Sequence, residues 1–187
     1  MSYTLDYNLE EPSRRWALLV LSINDRKQVK TMDIMHIQKV IRYFEYLRET
    51  QELAYSDFKY GAVSDELQQN LDTLLESGLV DDDEGKYCLT LEGKEAVQEV
   101  RKTFGNDQFK LLEFAKQQLN DLPIEELMYF LYKLIPSTQK NSIEYARLEG
   151  KRDQLVCNLF RKGRINSNMA AQWLEISEKE FLDSLSD

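Results

Sequence analysis

The chain has 187 residues and a formal net charge of −9, and 42% of its residues are hydrophobic. This composition predicts a globular protein of one large domain or two small ones, in which helix dominates. The most apolar stretch, WALLVLSI at 16–23, is shorter than the roughly 18–20 residues that cross a bilayer, and the N-terminus lacks the basic segment of a signal peptide. We therefore expect a cytoplasmic protein with no membrane partner.

Two amphipathic helices are predicted in the first fifty residues. Ser13 is a suitable N-cap for the first helix, whose apolar residues recur at helical spacing over 16–23. The second helix covers about 31–48 and has a wide apolar face. The aromatic stretch LAYSDFKYG, at 53–61, is predicted to include a short extended segment.

A third helix and a hairpin follow. The helix begins at Ser64, buries leucines that are three and four residues apart, and ends before Gly78, which suits a left-handed C-cap. The stretch LVDDDEGKYCLT, at 79–90, is predicted to form two strands with Glu84-Gly85 at the turn. TLEGKEAVQEVRKTF then begins a fourth helix.

The order of these elements and two stretches of sequence resemble winged-helix proteins. GLVDDDEGKYCLTLEGKEAV, at 78–97, resembles the GLI…Y.LT.EG ending of winged-helix domains in prokaryotic regulators. DFKYGAVSDELQQNLDTLLESGLV, at 57–80, resembles some archaeal and bacterial winged-helix proteins, although Ala62-Val63 replace the Pro-Tyr of their YGPYSEEL stretch. The resemblance implies a mainly α fold, in which a winged helix-turn-helix with a small β-hairpin wing occupies 1–105 and a helical C-terminal extension follows.

The extension, 106–187, is predicted to be a second domain. A helical pair covers 107–135, with Pro123 at the start of its second, largely apolar helix and Pro136 after its end. Helical sequence resumes near 142 and has a break at Gly150.

The end of the chain, 159–187, predicts two short helices joined by a turn. It resembles the ending G.I….AA..LGIS..EFL..L of short prokaryotic antitoxin-like proteins, although Trp173 and Glu175 flank Leu174 where that family usually has a tight glycine turn. The matching residues are Gly163, Ile165, Ala170, Ala171, Leu174, Ile176, Ser177, Glu180, Phe181 and Leu182. Because such families neutralise a partner protein and often repress their own operon, the resemblance implies a helix-turn-helix-like tail with a protein or DNA partner.

Positive charge is concentrated in two segments. Residues 14–48 hold eight bases and three acids, and 147–164 hold six bases and two acids. Lys and Arg supply much of the affinity for DNA phosphates, and Gln and Asn can read adenine edges. The alternative for both segments is a solvated helix face whose bases pair with nearby acids. The predicted DNA-binding residues are Arg14, Arg15, Arg26, Lys27, Lys30, Gln69, Asn70, Lys151, Arg152, Arg161, Lys162 and Arg164.

The third helix and the hairpin have the opposite charge. Residues 62–85 contain eight carboxylates and no lysine or arginine, and the outward positions of the helix are expected to be acidic apart from a few polar residues such as Gln69 and Asn70. Each carboxylate held near a phosphate would cost on the order of 1 kcal/mol, whereas a basic protein partner would associate faster. The predicted partner-binding residues are Asp65, Glu66, Asp72, Glu76, Asp81, Asp82, Asp83 and Glu84.

Catalysis is not expected. His36 is the single histidine, and Cys88 and Cys157 lie far apart without a CxxC pair, so that a zinc site or a histidine-based triad lacks its residues. No glycine-rich phosphate loop or nucleophile elbow is present. We predict no catalytic residue, no metal and no cofactor.

Three interpretations remain. The favoured one is a non-enzymatic winged-helix transcriptional regulator that binds DNA through its basic segments. The second is an antitoxin-like protein-binding module whose acidic helix and wing dock a basic partner. In the third, the acidic face only adds solubility, and the helices at 31–48 and 124–135 build a homodimer; dimerisation is compatible with all three.

Overall fold

A computed structural model describes residues 9–58, 61–139 and 142–185 of a mainly helical protein. The elements are α1 (Pro12–Ser22), α2 (Ile34–Leu47), β1 (Ser56–Phe58), β2 (Gly61–Val63), α3 (Asp65–Glu76), β3 (Val80–Asp83), β4 (Lys86–Leu89), α4 (Leu91–Thr103), α5 (Asn106–Leu119), α6 (Ile124–Leu134), a 3₁₀ turn (Pro136–Gln139), α7 (Ile143–Glu149), α8 (Arg152–Arg161), α9 (Ser167–Leu174) and α10 (Glu178–Ser184). The chain divides into two compact units, the first made of 1–56 and 63–121, the second of 57–62 and 122–187.

Helix α1 is the centre of the first unit. Its residues from Trp16 to Leu21 are all buried, because α2, α3, α4 and α5 pack around it. The apolar face predicted from helical spacing is therefore only part of the surface that α1 buries. Such burial on several sides is typical of a helix in the core.

The hairpin predicted at 79–90 is present as an antiparallel pair of β3 and β4, in which Val80 lies opposite Leu89. The turn residues Glu84 and Gly85 have φ angles of 51° and 80°. Two-residue hairpin turns take this left-handed conformation, because it matches the twist of the flanking strands.

A bridge outside the hairpin joins it to the segment between α1 and α2. The backbone N–H of Met32 donates to the carbonyl oxygen of Tyr87 at 3.1 Å, and the N–H of Tyr87 donates back at 2.8 Å. The hairpin is thereby hydrogen-bonded on the β4 side, and its position relative to α1 and α2 is fixed.

The base of the hairpin explains the glycines of the GLV…LTLEG stretch. Gly78 ends α3 with a φ of 72°, and its carbonyl oxygen accepts a hydrogen bond of 2.7 Å from the Thr90 hydroxyl. The same hydroxyl caps α4 by accepting from the N–H of Gly93 at 3.0 Å. A side chain on Gly93 would meet the carbonyl oxygen of Leu79 at 1.9 Å. Glycine at 93 therefore allows α4 to lie directly against the start of β3.

Helix α5 belongs to the first unit. It packs against α2 and α1, and its residues Leu112, Ala115 and Leu119 are fully buried. The sequence predicted a domain boundary at 105/106, whereas the compact units divide after Asp121. The difference arises because the apolar face of α5 finds its partner in α2, far back in the chain.

The second unit consists mostly of short helices. Helix α6 is buried along most of its length and packs against α7 and α8. The break expected at Gly150 lies between α7 and α8. Helix α9 packs against both α8 and α10.

The turn between α9 and α10 has the backbone of a glycine turn without the glycine. Glu175 takes a left-handed conformation, with φ 60° and ψ 36°, which is unfavourable for a residue with a Cβ atom. Ser177 and Glu180 then form a reciprocal capping box that begins α10.

Candidate recognition surfaces

The eight carboxylates of 62–85 lie on α3 and on the β3–β4 hairpin. Seven of them are exposed and Glu66 is half-buried. Among the residues that the structure describes, no lysine, arginine or histidine nitrogen lies within 4.0 Å of any of the eight. We call this group the acidic face.

Tyr87 joins the two parts of the acidic face. The pKa of Tyr87 is raised, mainly by burial and next by the nearby carboxylates of Asp82 and Asp72. A hydrogen bond with Gln68 opposes this rise. Asp72 is on α3 and Asp82 is on β3, so both elements place a carboxylate close to the same phenol. Both parts of the acidic face therefore contribute negative charge near Tyr87.

Asn70 is not on this surface. It is 8% exposed, its amide donates to the Ser13 hydroxyl at 2.6 Å, and its carbonyl oxygen accepts from Arg14 Nε at 2.6 Å. Ser13 in turn donates to Glu66 at 3.3 Å. The prediction that Asn70 points outward is wrong, because Asn70 is part of a polar network that joins α3 to α1. Gln69, by contrast, is exposed.

The arginines at the start of α1 make contacts within the first unit. Arg14 is half-buried and binds Asn70 as described above. Arg15 donates to the Thr103 hydroxyl at 3.3 Å, and its guanidinium lies 5.7 Å from the centre of the Phe104 ring. Both side chains hold α1 against neighbouring elements of the first unit.

The other three bases of the first segment lie in the loop after α1. Arg26, Lys27 and Lys30 are all exposed. No ion pair involving any of these three is present among the described residues. We call residues 26–30 the basic loop.

The basic residues of 147–164 are mostly paired with carboxylates. Lys151 lies 2.9 Å from Glu125, and Lys162 lies 2.6 Å from the buried Glu126. Hydrogen bonds from Arg147 and Lys151 lower the pKa of Glu125. Since both glutamates belong to α6, a charge count restricted to 147–164 misses them.

The remaining three predicted bases of this segment differ from one another. Arg152 lies 3.8 Å from Glu175 and 3.5 Å from Asp153. Arg164 is buried and donates to the carbonyl oxygen of Lys162 at 3.2 Å, so the expectation that it contributes to an outer basic surface is wrong. Arg161 is exposed.

Asp33 and His36 form a hydrogen-bonded pair at the start of α2 for which the sequence predicted no role. Asp33 caps the helix and also lies 2.9 Å from His36 Nδ1 and 3.0 Å from Lys86 Nζ. Partial burial would raise the pKa of Asp33, but hydrogen bonds from His36 and Lys86 hold it well below its usual range. An aspartate just before a helical pattern is the signal that could have identified this cap.

Lys116 is the second residue that sequence analysis missed. It is fully buried on α5, and its ammonium donates to the carbonyl oxygens of Val20, Ile23 and Lys30 at 2.8 to 2.9 Å. Burial lowers the pKa of Lys116 to about 7, the charge of Asp25 opposes this shift and that of Lys30 adds to it. Its position on the apolar face of α5 was the available signal.

The described residues contain no cluster of three or more His, Cys, Asp or Glu side chains arranged to hold a metal ion. Within the same residues, each helix is too short or too polar to span a bilayer. Comparison of the chain with family models, curated proteins and solved structures gives no match. The acidic face and the basic loop are therefore the two features whose chemistry indicates a function.

Proposed function

We propose that this chain is a non-enzymatic, regulator-like recognition protein of the winged-helix type, in which the acidic face binds a positively charged protein. Helices α1, α2 and α3 followed by the β3–β4 hairpin have the order of a winged helix-turn-helix. The hydrogen-bonded bridge at Met32 supports this interpretation, since it holds the hairpin against the helices as a wing.

The observation that carries the proposal is the set of carboxylates on α3 and the hairpin that have no basic partner among the described residues. In a DNA-bound winged helix these two elements approach the phosphates, where the acidic face would be repelled. A cationic protein surface would be attracted by the same carboxylates. Complementary charge also raises the rate at which two proteins associate. The antitoxin-like sequence of α9 and α10 also favours a protein partner.

Capture experiments test this proposal. The tagged chain is compared with a variant that carries Asp81→Asn, Asp82→Asn, Asp83→Asn and Glu84→Gln, using extract from the native host. The matched control neutralises four exposed acids outside the acidic face, Glu92, Glu95, Glu99 and Asp107. Proteins that the control retains and the hairpin variant loses support the proposal. Capture of the same proteins by both variants would leave the acidic face as a solubilising surface.

A second candidate function is DNA binding by a transcriptional regulator. The basic loop favours it, because its three bases are exposed and close in sequence while most of the other predicted DNA-binding bases make internal contacts. A mobility-shift assay with duplex DNA at about 50 mM salt, where phosphate contacts are strongest, tests this candidate. Absence of binding would remove it. A homodimer stays a prediction for both candidates, to be measured by light scattering.

A further inference from the structure

We infer that the basic loop is a pre-formed contact for the phosphate backbone of duplex DNA, and that Asp25 is the residue that holds it in its binding shape. This inference rests on the second candidate function. It places the contact on the loop between α1 and Met32.

The basic loop is folded around the Asp25 carboxylate. Asp25 is 4% exposed, and its Oδ1 accepts hydrogen bonds of 2.8 Å from the backbone N–H groups of both Lys27 and Val29. Its Oδ2 accepts from the side-chain amide of Asn120 at 3.1 Å. The carboxylate is thus used entirely inside the first unit, and the loop backbone wraps over it.

Backbone hydrogen bonds close the same loop. The N–H of Asp25 donates to the carbonyl oxygen of Val29 at 2.9 Å, and the N–H of Gln28 donates to the carbonyl oxygen of Asp25 at 3.1 Å. Gln28 has a φ of 63°, a left-handed conformation that a residue with a Cβ atom adopts where its surroundings impose it. At the far end, the Lys30 carbonyl oxygen accepts from the buried Lys116. The loop is anchored at its beginning, its middle and its end.

This construction leaves the positive side chains outside. Arg26, Lys27 and Lys30 are exposed, and Val29 between them is 41% exposed. Phosphate oxygens only accept hydrogen bonds, so they are bound by side chains that donate. The three bases donate, and Gln28 has the only acceptor side chain within 26–30. A protein loop that is already ordered loses less conformational entropy on binding. The basic loop therefore has both the charge and the rigidity that backbone contact requires.

Counterion release gives the expected size of the effect. Each phosphate contact contributes a slope of about −0.9 to the logarithm of affinity against the logarithm of salt concentration. Three contacts predict that affinity falls about 40-fold between 50 and 200 mM salt. Removal of the three bases should abolish this part of the salt dependence.

The experiment measures duplex DNA binding by fluorescence anisotropy across that salt range. The variant Arg26→Ala, Lys27→Ala, Lys30→Ala is compared with a control of equal charge change, Lys94→Ala, Lys102→Ala, Lys110→Ala, whose lysines are all exposed in the first unit. We expect the loop variant to lose most of its affinity and slope, and the control to keep both. If the wild-type chain does not bind at 50 mM salt, the DNA-binding function and this inference both fall. If it binds and the two variants behave alike, the inference alone is overturned.

Two variants of Asp25 test the positioning role. Asp25→Ala and Asp25→Asn both remove one negative charge, which by charge alone strengthens binding to DNA. Asparagine keeps an oxygen that can accept from Lys27 and Val29, whereas alanine keeps none. We expect Asp25→Ala to weaken binding about fivefold at an unchanged salt slope, and Asp25→Asn to bind at least as tightly as the wild type. Tighter binding by both variants would overturn the inference.

A competition assay separates DNA from an acidic protein. Polyglutamate of the same total charge as the duplex is added to the complex. If polyglutamate displaces the duplex only weakly, the result supports a surface that binds regularly spaced phosphates. Competition equal to that of unlabelled duplex would overturn the assignment to DNA and identify the loop as a contact for acidic proteins.

Discussion

Replacing Gly93 with alanine should separate the start of α4 from the β3–β4 hairpin. The added methyl group would lie 1.9 Å from the carbonyl oxygen of Leu79 and 3.3 Å from Cδ2 of Leu89. A backbone oxygen cannot rotate out of the way, so the two segments must move apart by about 1 Å. The Leu79 oxygen also accepts a hydrogen bond of 3.2 Å from the backbone N–H of Thr90. The Thr90 hydroxyl shares its hydrogen between the Gly78 oxygen at 2.7 Å and the Leu79 oxygen at 3.2 Å, and the separation weakens these bonds.

The magnitude follows from these contacts. Overpacking costs about 1–3 kcal/mol, and each hydrogen bond that is lost adds about 1 kcal/mol. The better helix propensity of alanine offsets about 1 kcal/mol at most. The expected net loss is about 3 kcal/mol in the free energy of unfolding of the first unit, a large share of the roughly 5–15 kcal/mol typical of a native protein.

Urea unfolding measures this loss. In a Trp173→Phe background, the fluorescence of the buried Trp16 reports on the first unit alone, and the midpoint should fall by about 1–2 M. Gly105→Ala is the control, because its methyl group would meet only the Gln108 side chain, at 3.9 Å. If Gly93→Ala unfolds at the midpoint of the control, the close approach of α4 to the hairpin is not a structural requirement.

The other predictions concern the left-handed turn and two charged residues. Glu175→Gly should stabilise the second unit by about 1 kcal/mol, seen as a rise in Tm of about 5 °C, because glycine adopts the left-handed turn without steric cost; an unchanged or lower Tm would contradict this. The lowered pKa of Asp33 means that its stabilising contribution is present above its ordinary pKa of 3.8 and is lost as the pH falls below it. Asp33→Asn should therefore show a smaller loss of stability than the wild type between pH 5 and about 2.5. The pKa of Lys116 is lowered from 10.5 to about 7 in the folded protein. Between these two pH values the unfolded state binds more protons than the folded state. The free energy of unfolding should therefore rise with pH, by at most about 1.4 kcal/mol per pH unit. Lys116→Met should reduce that slope in urea titrations at pH 7 to 10, and an equal slope in both proteins would show that Lys116 does not titrate there.

Local features of the chain were predictable because their causes are local. Ser64 begins α3 and Gly78 ends it, as the capping preferences of serine and glycine indicate. The turn at Glu84-Gly85 was predictable because glycine takes left-handed angles without steric cost and lies between two strand-like stretches. The break at Gly150 and the capped start of α10 were likewise readable within a few residues of where they occur.

The candidate surfaces were only partly predictable. The seven exposed carboxylates of the acidic face were predictable. The three on α3 lie opposite its leucine stripe, and the four on the hairpin lie at or beside its turn. The burial of Asn70 was not predictable, because its partner Ser13 is 57 residues away in the sequence. The ion pair between Lys162 and Glu126 was not predictable either, because its partners are 36 residues apart in the sequence.

The sequence by itself determined where most helices and the hairpin lie, the acidic character of the third helix and the scarcity of residues for catalysis or metal binding. Tertiary structure alone decided that α5 belongs to the first unit, that α1 is buried on several sides, and that most of the predicted DNA-binding bases serve internal contacts. The physical reason is that periodicity reports which face of an element avoids water. It does not report which distant polar group satisfies a charge, and that partner decides whether an arginine or lysine remains free to bind another molecule.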